Sequence, residues 1–453
     1  MSAHLELLVL CTWHPLSAGE RERLRALAAE TTDWDTFATL AELNKVEPKV
    51  CLALTQAGAL EAVPEPVRGR LQAAAGEVKR ANALRLERAR ELFPVLVEAG
   101  IRVCVLKGVL FAETVYGEPG YKRMNDVDFL VPRAQIDLLP ALYERLGYFS
   151  ISERVGHRPE VQTRVSHHLA PYVSRDLRCV LGTQWGLKSP LLGLHIDYEA
   201  MWSRTRPFDF YGTPLRQLSP ADNLFHVCVH LGLFKAGLRD VMDIYNLARV
   251  AGAELDYALF TRLVRDAGAE DLAFHALSLA QRLCPSADFA RVLAQLEPKV
   301  SAFMRRTVAT KTRELAMLLQ LCTGYLGVIE KAITDFNASD SAAQKLRGYA
   351  HFWRLVARPS PEEARRVCFA PDPAGPSAWS VPFRAPVAIL RGIGAEIGLP
   401  LLGLLLLKGT VDTALTALNP LAWRRSGQRD LATFAHRHGI SLTELQRLKD
   451  SIF

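Results

Sequence analysis

Most of the chain reads as helix. Phe37, Leu40, Leu43 and Val46 recur at helical spacing, and Leu84, Leu86, Ala89, Leu92, Phe93 and Leu96 mark the apolar side of a long helix over 67–99. Ser17 predicts a cap for a helix through 20–29, Asp33 or Thr36 a cap for the next, and Gly100 a stop. Pro48 interrupts the pattern and Pro64 and Pro66 mark a link, after which Pro94 predicts a kink in the long helix. The pattern then changes. An apolar run over 101–106 predicts a buried strand, 108–115 a short helix, Gly117-Glu118-Pro119-Gly120 a turn, 125–131 a second strand and 132–146 a helix. Residues 148–151, 168–173, 177–181 and 192–198 are further strand candidates, with a polar loop over 182–190.

Helical spacing returns beyond residue 210. Ser219-Pro220-Ala221-Asp222 combines an N-cap, a proline at the first helical position and an acid in the first turn, and predicts a helix over 223–233. Helices over 239–250, 257–267 and 271–283 follow, and 290–356 continues as helix. The stretch 358–386 is rich in proline and reads as a linker or irregular wrap. A hydrophobic helix and a final amphipathic one, 441–452, complete the chain, and no internal repeat is found. Four regions result: an N-terminal helical region (1–80), a core of strands and helices (81–210), a helical domain that closes over it (211–357), and the linker with its C-terminal helices (358–453).

The second strand changes this from architecture to chemistry. It reads Asp126-Val127-Asp128-Phe129-Leu130-Val131, and alternate residues of a strand share a face. Asp126 and Asp128 therefore project together while Val127 and Phe129 face the other way. Two adjacent acids in an apolar strand repel, and a divalent cation between them removes that cost. Hard cations take carboxylate oxygens, so Mg²⁺ or Mn²⁺ is the expected cofactor. A strand-end pair that only caps backbone donors is the plainer alternative. Lys107-Gly108 precedes a helix, whose N-terminus favours phosphate. The plainer account of Lys107 is a surface lysine at a strand end.

Composition narrows the partners without choosing one. At 453 residues, with 49% apolar and 23% charged residues, this is an ordinary globular chain. The net charge of +7 permits a nucleotide, nucleic acid or anionic lipid as partner, but no basic stripe interleaved with aromatics supports nucleic acid. The eight cysteines are dispersed without a C-x-x-C pair, and Cys11, Cys51, Cys104, Cys228, Cys284 and Cys322 sit in apolar surroundings. They read as buried free thiols in a reducing compartment, which places the protein in the cytoplasm. The N-terminus lacks the basic and small-residue features of a signal peptide. The apolar run 399–407 is too short to span a bilayer, so a buried or interfacial helix is the expectation, which leaves room for peripheral membrane contact through 387–407.

Leu106-Lys107-Gly108, Tyr116-Gly117, Pro119-Gly120, Arg123 and the Asp126–Val131 strand together resemble the uncharacterised nucleotidyltransferase family of the polymerase-β superfamily. The resemblance extends from about residue 35 to about 255, through Asn82, Ser219 to Asp222, His226, His230 and the Arg239–Asp243 segment. It implies an α+β fold, a mixed-sheet core embedded in a mostly helical chain. It implies transfer of a nucleoside monophosphate from an NTP, with ATP the expected donor, to an acceptor that the sequence does not identify: a small molecule, sugar, tRNA or protein. Pyrophosphate leaves. Asp126 and Asp128 would hold the metal, Lys107, Gly108 and Arg123 the triphosphate, and a third carboxylate would sit on a later strand. Asp197 is chosen for that role, as a second-metal ligand or as the base for the acceptor hydroxyl, because it shares a strand face with His195, with Glu199 in reserve.

Several further positions have both a functional and a structural account. His226 and His230 lie four apart on one helix face with Asp222 one turn earlier, a spacing that fits zinc, a cleft lining or core hydrogen bonding. Arg239 and Asp243 fit a structural ion pair. Trp185, Trp202 and Tyr116 could stack on a base, although core packing explains each. A catalytically weak or inactive nucleotide-binding or scaffold protein is the alternative function.

Overall fold

The computed structural model describes residues 2–150, 166–232, 237–313, 315–319 and 435–445, with single positions between 346 and 418. Two compact units divide the chain, Met1–Val300 with Thr443–Phe453, and Ser301–Leu442. The helical region 1–80, the strands of 81–210 and the helices as far as Val300 all fall in the first unit.

Five helices lead into the sheet: α1 (Ala3–Cys11), α2 (Ala18–Glu30), α3 (Trp34–Leu43), α4 (Glu47–Ala57) and α5 (Glu65–Glu98). Local chemistry sets their ends. Ser17 and Glu20 form a reciprocal capping box at α2, Asp33 caps α3 by accepting from Thr36 N, and Gly58 closes α4 in the left-handed conformation. Helix α5 has 34 residues and runs through Pro94 near its end. At 1.5 Å per residue that is a rod of about 51 Å. Its buried stripe is Val67, Leu71, Val78, Leu86, Ala89, Leu92, Phe93 and Leu96, with one polar residue, Asn82, inside it.

The sheet has seven strands: β1 (Cys104–Val105), β2 (Val127–Leu130), β3 (Tyr148–Ser150), β4 (Tyr172–Ser174), β5 (Val180–Gln184), β6 (Arg206–Phe210) and β7 (Thr213–Gln217). Their order is β3-β4-β5-β2-β1-β7-β6. β2 is parallel to β5 and antiparallel to β1, and β1 is parallel to β7. The sheet is therefore mixed, in an α+β core within a mostly helical chain. Phe93 of α5 packs edge-on against Phe129 of β2 and Phe210 of β6, with ring centroids 5.5 and 5.3 Å apart. That contact commits Phe129 to the covered face and turns Asp128 to the other. Thr183 of β5 also points to the covered side, where its hydroxyl meets Tyr143 of α7 (Leu139–Arg145) at 2.8 Å.

The expected strand over 192–198 is absent. Residues 190–192 form a single 3-10 turn, an irregular stretch follows, and α8 (Tyr198–Ser203) starts where the strand was to end. Asp197 favours a helix start because its carboxylate accepts from Ala200 N. Conversely, 182–184 was expected as loop and continues β5. The β6–β7 hairpin was not foreseen. Its two-residue turn is Tyr211-Gly212, with φ of 51° and 87°, the doubly positive geometry whose twist suits a tight hairpin.

Helices α9 (Pro220–Leu231), α10 (Leu238–Ala251), α11 (Tyr257–Ala267), α12 (Glu270–Leu283) and α13 (Ala287–Leu296) complete this unit. In the second unit, α14 (Ala302–Thr312) and α15 (Leu315–Leu319) are described. The proline-rich stretch and the hydrophobic helix over 387–407 lie almost wholly outside the described residues, whereas of the helix expected over 441–452 the positions 442–445 are helical and 446–452 lie outside. Among the described residues no helix is long and apolar enough to cross a membrane. Cys11, Cys51, Cys104, Cys179, Cys228 and Cys284 are buried free thiols, and Cys322 lies outside the described residues.

Candidate active site

The two acids of β2 converge. Asp128 lies opposite Gly182 in the parallel register with β5. A Cβ on Gly182 would come 2.5 Å from Asp128 Oδ1 and 3.1 Å from Asp126 Oδ2, so both carboxylates reach over the same bare backbone. Any side chain at 182 would collide with them. Two residues further along β5, Gln184 Nε2 donates to Asp128 Oδ1 at 2.8 Å and fixes that carboxylate. The other oxygen faces Lys107, whose Nζ is 3.1 Å from Asp128 Oδ2. Asp126 is half-buried, and Arg85 of α5 is close enough for the two charges to act on each other.

Lys107 opens helix α6 (Lys107–Thr114), directly after β1. Its φ is 37°, in the left-handed region that a residue with a side chain rarely enters. Such strain costs about 1–2 kcal/mol and collects at functional sites. The backbone enters this turn pinned to the acid strand, since Leu106 N donates to Asp128 O at 3.0 Å. Gly108 has a packing reason to lack a side chain, because a Cβ there would sit 3.0 Å from Met124 Cγ. The side chain of Lys107 also reaches His230, with Nζ 3.5 Å from Nε2.

The turn between α6 and β2 is held by residues of two distant helices. Asn82 of α5 donates to the carbonyls of Pro119 and Lys122 and accepts from Met124 N at 3.0 Å. Lys122 is buried in an ion pair with Asp243 of α10, which also accepts from Tyr116 Oη at 2.9 Å. Tyr116 stacks on Tyr121 with centroids 3.8 Å apart and accepts from Asn246 Nδ2 at 3.1 Å. The expected pairing of Arg239 with Asp243 is thus replaced. Asp243 takes Lys122, and Arg239 Nη2 donates to Arg123 O at 2.9 Å. Arg123 itself is exposed and its guanidinium meets Glu77 at 3.2 Å, so this structure does not bring it to the two acids.

Other expected members are placed elsewhere. Asp197 is an exposed helix cap rather than a strand residue, and Glu199 lies in the first turn of the same short helix. His195 is also exposed, with its backbone N donating to Ala267 O at 3.1 Å. The choice of Asp197 assumed a strand and therefore a shared face, and both fall once the segment folds as a capped helix. Asp222 is committed to structure: Arg204 donates to both its oxygens at 3.0 and 2.7 Å, and Ser219 caps the same turn. Trp185 and Trp202 lie under Arg133 and Arg102, with the guanidinium 4.4 and 5.1 Å from the ring centroids. Among the described residues, no three acids, histidines or cysteines form a group that could hold a metal by themselves.

On the far side of Lys107 stand three histidines and Lys188. His226 and His230 of α9 lie with ring centroids 6.0 Å apart. His226 is fully buried, and neither ring nitrogen has a hydrogen-bond partner. Burial first, then the charges of Lys107, His167 and Lys188, hold its imidazole well below the usual histidine range. His167 is pushed down to about 3 by burial and by His168, Lys188 and Lys107.

Sequence reading missed Gly182 and Gln184, which shape and hold the acids. A signal was present: a glycine inside the apolar run Val180-Leu181-Gly182-Thr183 marks a place where something approaches the backbone closely.

No curated protein and no solved structure is similar enough to the chain to count as a match. The model of one family, described as uncharacterised nucleotidyltransferase, matches residues 30–285, which spans the sheet, both acids and the helices that carry Asp243 and the histidines. The paired acids on the strand after a Lys-Gly helix start, and a match over more than half of the chain, lead to one conclusion: this protein belongs to the uncharacterised nucleotidyltransferase family.

Proposed function

We propose that the protein transfers a nucleoside monophosphate from a nucleoside triphosphate to an acceptor, releasing pyrophosphate, with Mg²⁺ or Mn²⁺ held by Asp126 and Asp128. One observation carries this reading. Two carboxylates converge over Gly182 on a parallel strand, with no side chain between them. Like charges so placed favour a shared cation. A cation held by Asp126 and Asp128 would supply neutralisation of the charge that develops on the phosphates during transfer.

The chain's own groups do the rest. Gln184 fixes the orientation of Asp128 from the neighbouring strand. Lys107 balances that carboxylate in the absence of a cation and turns to the phosphates when one is present. The first N–H groups of α6 face the same region with their positive dipole end. Asn82, Lys122 and Asp243 hold the turn that leads into β2, so the acids start from a fixed backbone. The acceptor's proton is assigned to no side chain, because Asp197 is engaged as a helix cap.

Calorimetry with Mg-ATP tests the assignment directly. Wild-type protein binds, and the double variant Asp126→Ala/Asp128→Ala loses most of that affinity. Equal affinity in the two would sink the metal site. A nucleotide-binding protein without turnover is the second reading, favoured by the double engagement of Asp128 with Lys107 and Gln184. Mg-dependent ATP binding with no pyrophosphate release across varied acceptors would support it.

A further inference from the structure

We propose that a phosphate-binding pocket adjoins the two carboxylates, built on the buried His226 with Lys107, Lys188, His167 and His230 around it. Its assignment to a reaction rests on the nucleotidyl-transfer reading, while its existence does not. The first observation is His226, at 0% exposure and with neither ring nitrogen partnered. A buried polar group left without a partner costs about 1–3 kcal/mol, so such a group calls for an explanation. His167 repeats the feature, with a buried Nδ1 that has no partner.

The second observation is the company these rings keep. His230 lies one turn along α9 from His226 and 3.5 Å from Lys107 Nζ. Lys188 Nζ is 3.5 Å from the Cβ position of Gly232, just past the end of α9. His167 is tied to the end of β5, because its carbonyl accepts from Trp185 N and Gly186 N at 2.9 and 3.1 Å. The ammonium groups of Lys107 and Lys188 both act on His226, and His167, itself lowered to about 3, accompanies them as a neutral ring.

The sign of the two ammonium groups selects the ligand. Histidines four apart on a helix fit zinc, but two ammonium groups beside them repel a cation. A phosphate group answers every feature. Its oxygens accept from imidazole N–H groups and from ammonium groups, and it gives Lys107 a second anionic partner beside Asp128. In nucleotidyl transfer a phosphate reaches this place either as the outer phosphates of the triphosphate or as a phosphate carried by the acceptor.

The experiment uses the full chain without metal, labelled with ¹⁵N at histidine. Inorganic pyrophosphate is titrated while the ring nitrogens are followed by NMR and affinity by calorimetry. His226→Gln identifies its own signal. The expected result is a shift of the His226 ring signal and an affinity that falls at least about tenfold, or 1.4 kcal/mol, in His226→Gln and again in Lys188→Ala. Denaturation curves confirm that each variant is folded, and Lys188→Ala stands in if His226→Gln is not. An unmoved His226 signal, or pyrophosphate affinity unchanged in the folded variants, overturns the pocket. Asp126→Ala/Asp128→Ala keeps metal-free pyrophosphate binding. If that variant also keeps wild-type Mg-ATP affinity, the metal reading fails and the pocket stands. Competition between pyrophosphate and Mg-ATP assigns the pocket to the nucleotide's own phosphates. Binding of phenyl phosphate alongside a non-hydrolysable ATP assigns it to the acceptor.

Discussion

Two lysine–aspartate pairs in this unit have nearly the same burial and opposite meanings. Lys122–Asp243 has side chains 10% and 7% exposed, and Lys107–Asp128 has 14% and 11%. Around the first, neutral groups close the network: Tyr116 donates to Asp243, Asn246 donates to Tyr116, and Asn246 also bonds Thr12 O and His14 N. Around the second, the network stays open. A second carboxylate stands beside Asp128, a glycine leaves room above it, and beyond Lys107 lies His226 with no partner. A closed network binds segments together, since Thr12, Asn246 and the turn that carries Tyr116 and Lys122 come from three stretches of the chain. An open one leaves capacity for a ligand.

Removing one partner from each pair gives the largest contrast. Asp243→Ala leaves a buried ammonium unpaired and is expected to destabilise the fold by about 3–5 kcal/mol. Asp128→Asn relieves the repulsion with Asp126 while it costs Lys107 a partner, so stability changes by at most about 1 kcal/mol. If the two acids hold a metal as proposed, turnover in that variant falls on the order of 10³-fold, since one ligand is lost. Urea denaturation beside pyrophosphate release separates the two, and equal destabilisation in both variants would remove the distinction.

Gly182→Ala sharpens the comparison from the other side. Its methyl group lands where the two carboxylates meet, 2.5 Å from Asp128 Oδ1. Activity is expected to drop on the order of 10²-fold, as for other displacements of about an ångström at a reacting centre. An alanine variant with full activity would mean that the carboxylates can part without consequence.

How far these regions were legible follows from the same difference. The acid pair was readable because strand alternation is local and two acids in an apolar run are conspicuous. The α5 stripe was readable for the same reason, through its three- and four-residue spacing. The partners were not. Gln184 meets Asp128 across 56 positions and Lys122 meets Asp243 across 121, and no local rule links residues so far apart. Asp197 misled because an acid three positions before a backbone donor also caps a helix, and capping won over the apparent strand pattern of 192–198. The β6–β7 hairpin had its own signal in Tyr211-Gly212, but its strands carry Arg206, Pro207, Asp209, Pro214 and Arg216, which blur the strand pattern on either side.

The open side of the network also predicts a pH response. Unfolded histidines take up protons near pH 6.5. His226 is held well below that value by burial and neighbouring cations, and His14 is lowered to about 4 by burial, Lys49 and Arg249. The unfolded chain then binds more protons than the folded one below pH 6.5, so stability is full above that value and is lost as the pH falls. For the fully buried His226 the slope approaches about 1.4 kcal/mol per pH unit. His226→Gln removes that share, and its stability between pH 6.5 and 5 declines less steeply than the wild type's. Parallel curves from chemical denaturation would show that His226 takes up a proton as freely in the folded state as in the unfolded.

The smallest effect separates strain from charge at one residue. Lys107 holds φ at 37° and also carries the cation between Asp128 and His230. Lys107→Ala loses the cation and keeps the strain, whereas Lys107→Gly loses both. The glycine variant is expected to be more stable than the alanine variant by about 1 kcal/mol, because glycine enters the left-handed region without a Cβ clash. Both are expected to bind pyrophosphate and Mg-ATP equally weakly. A thermal shift that favours glycine, together with a shared loss of binding, would mean that the backbone is strained in order to aim an ammonium group at the acids. If alanine is the more stable of the two, the turn at Lys107 relaxes without its side chain, and its conformation follows from the Asp128 contact rather than preceding it.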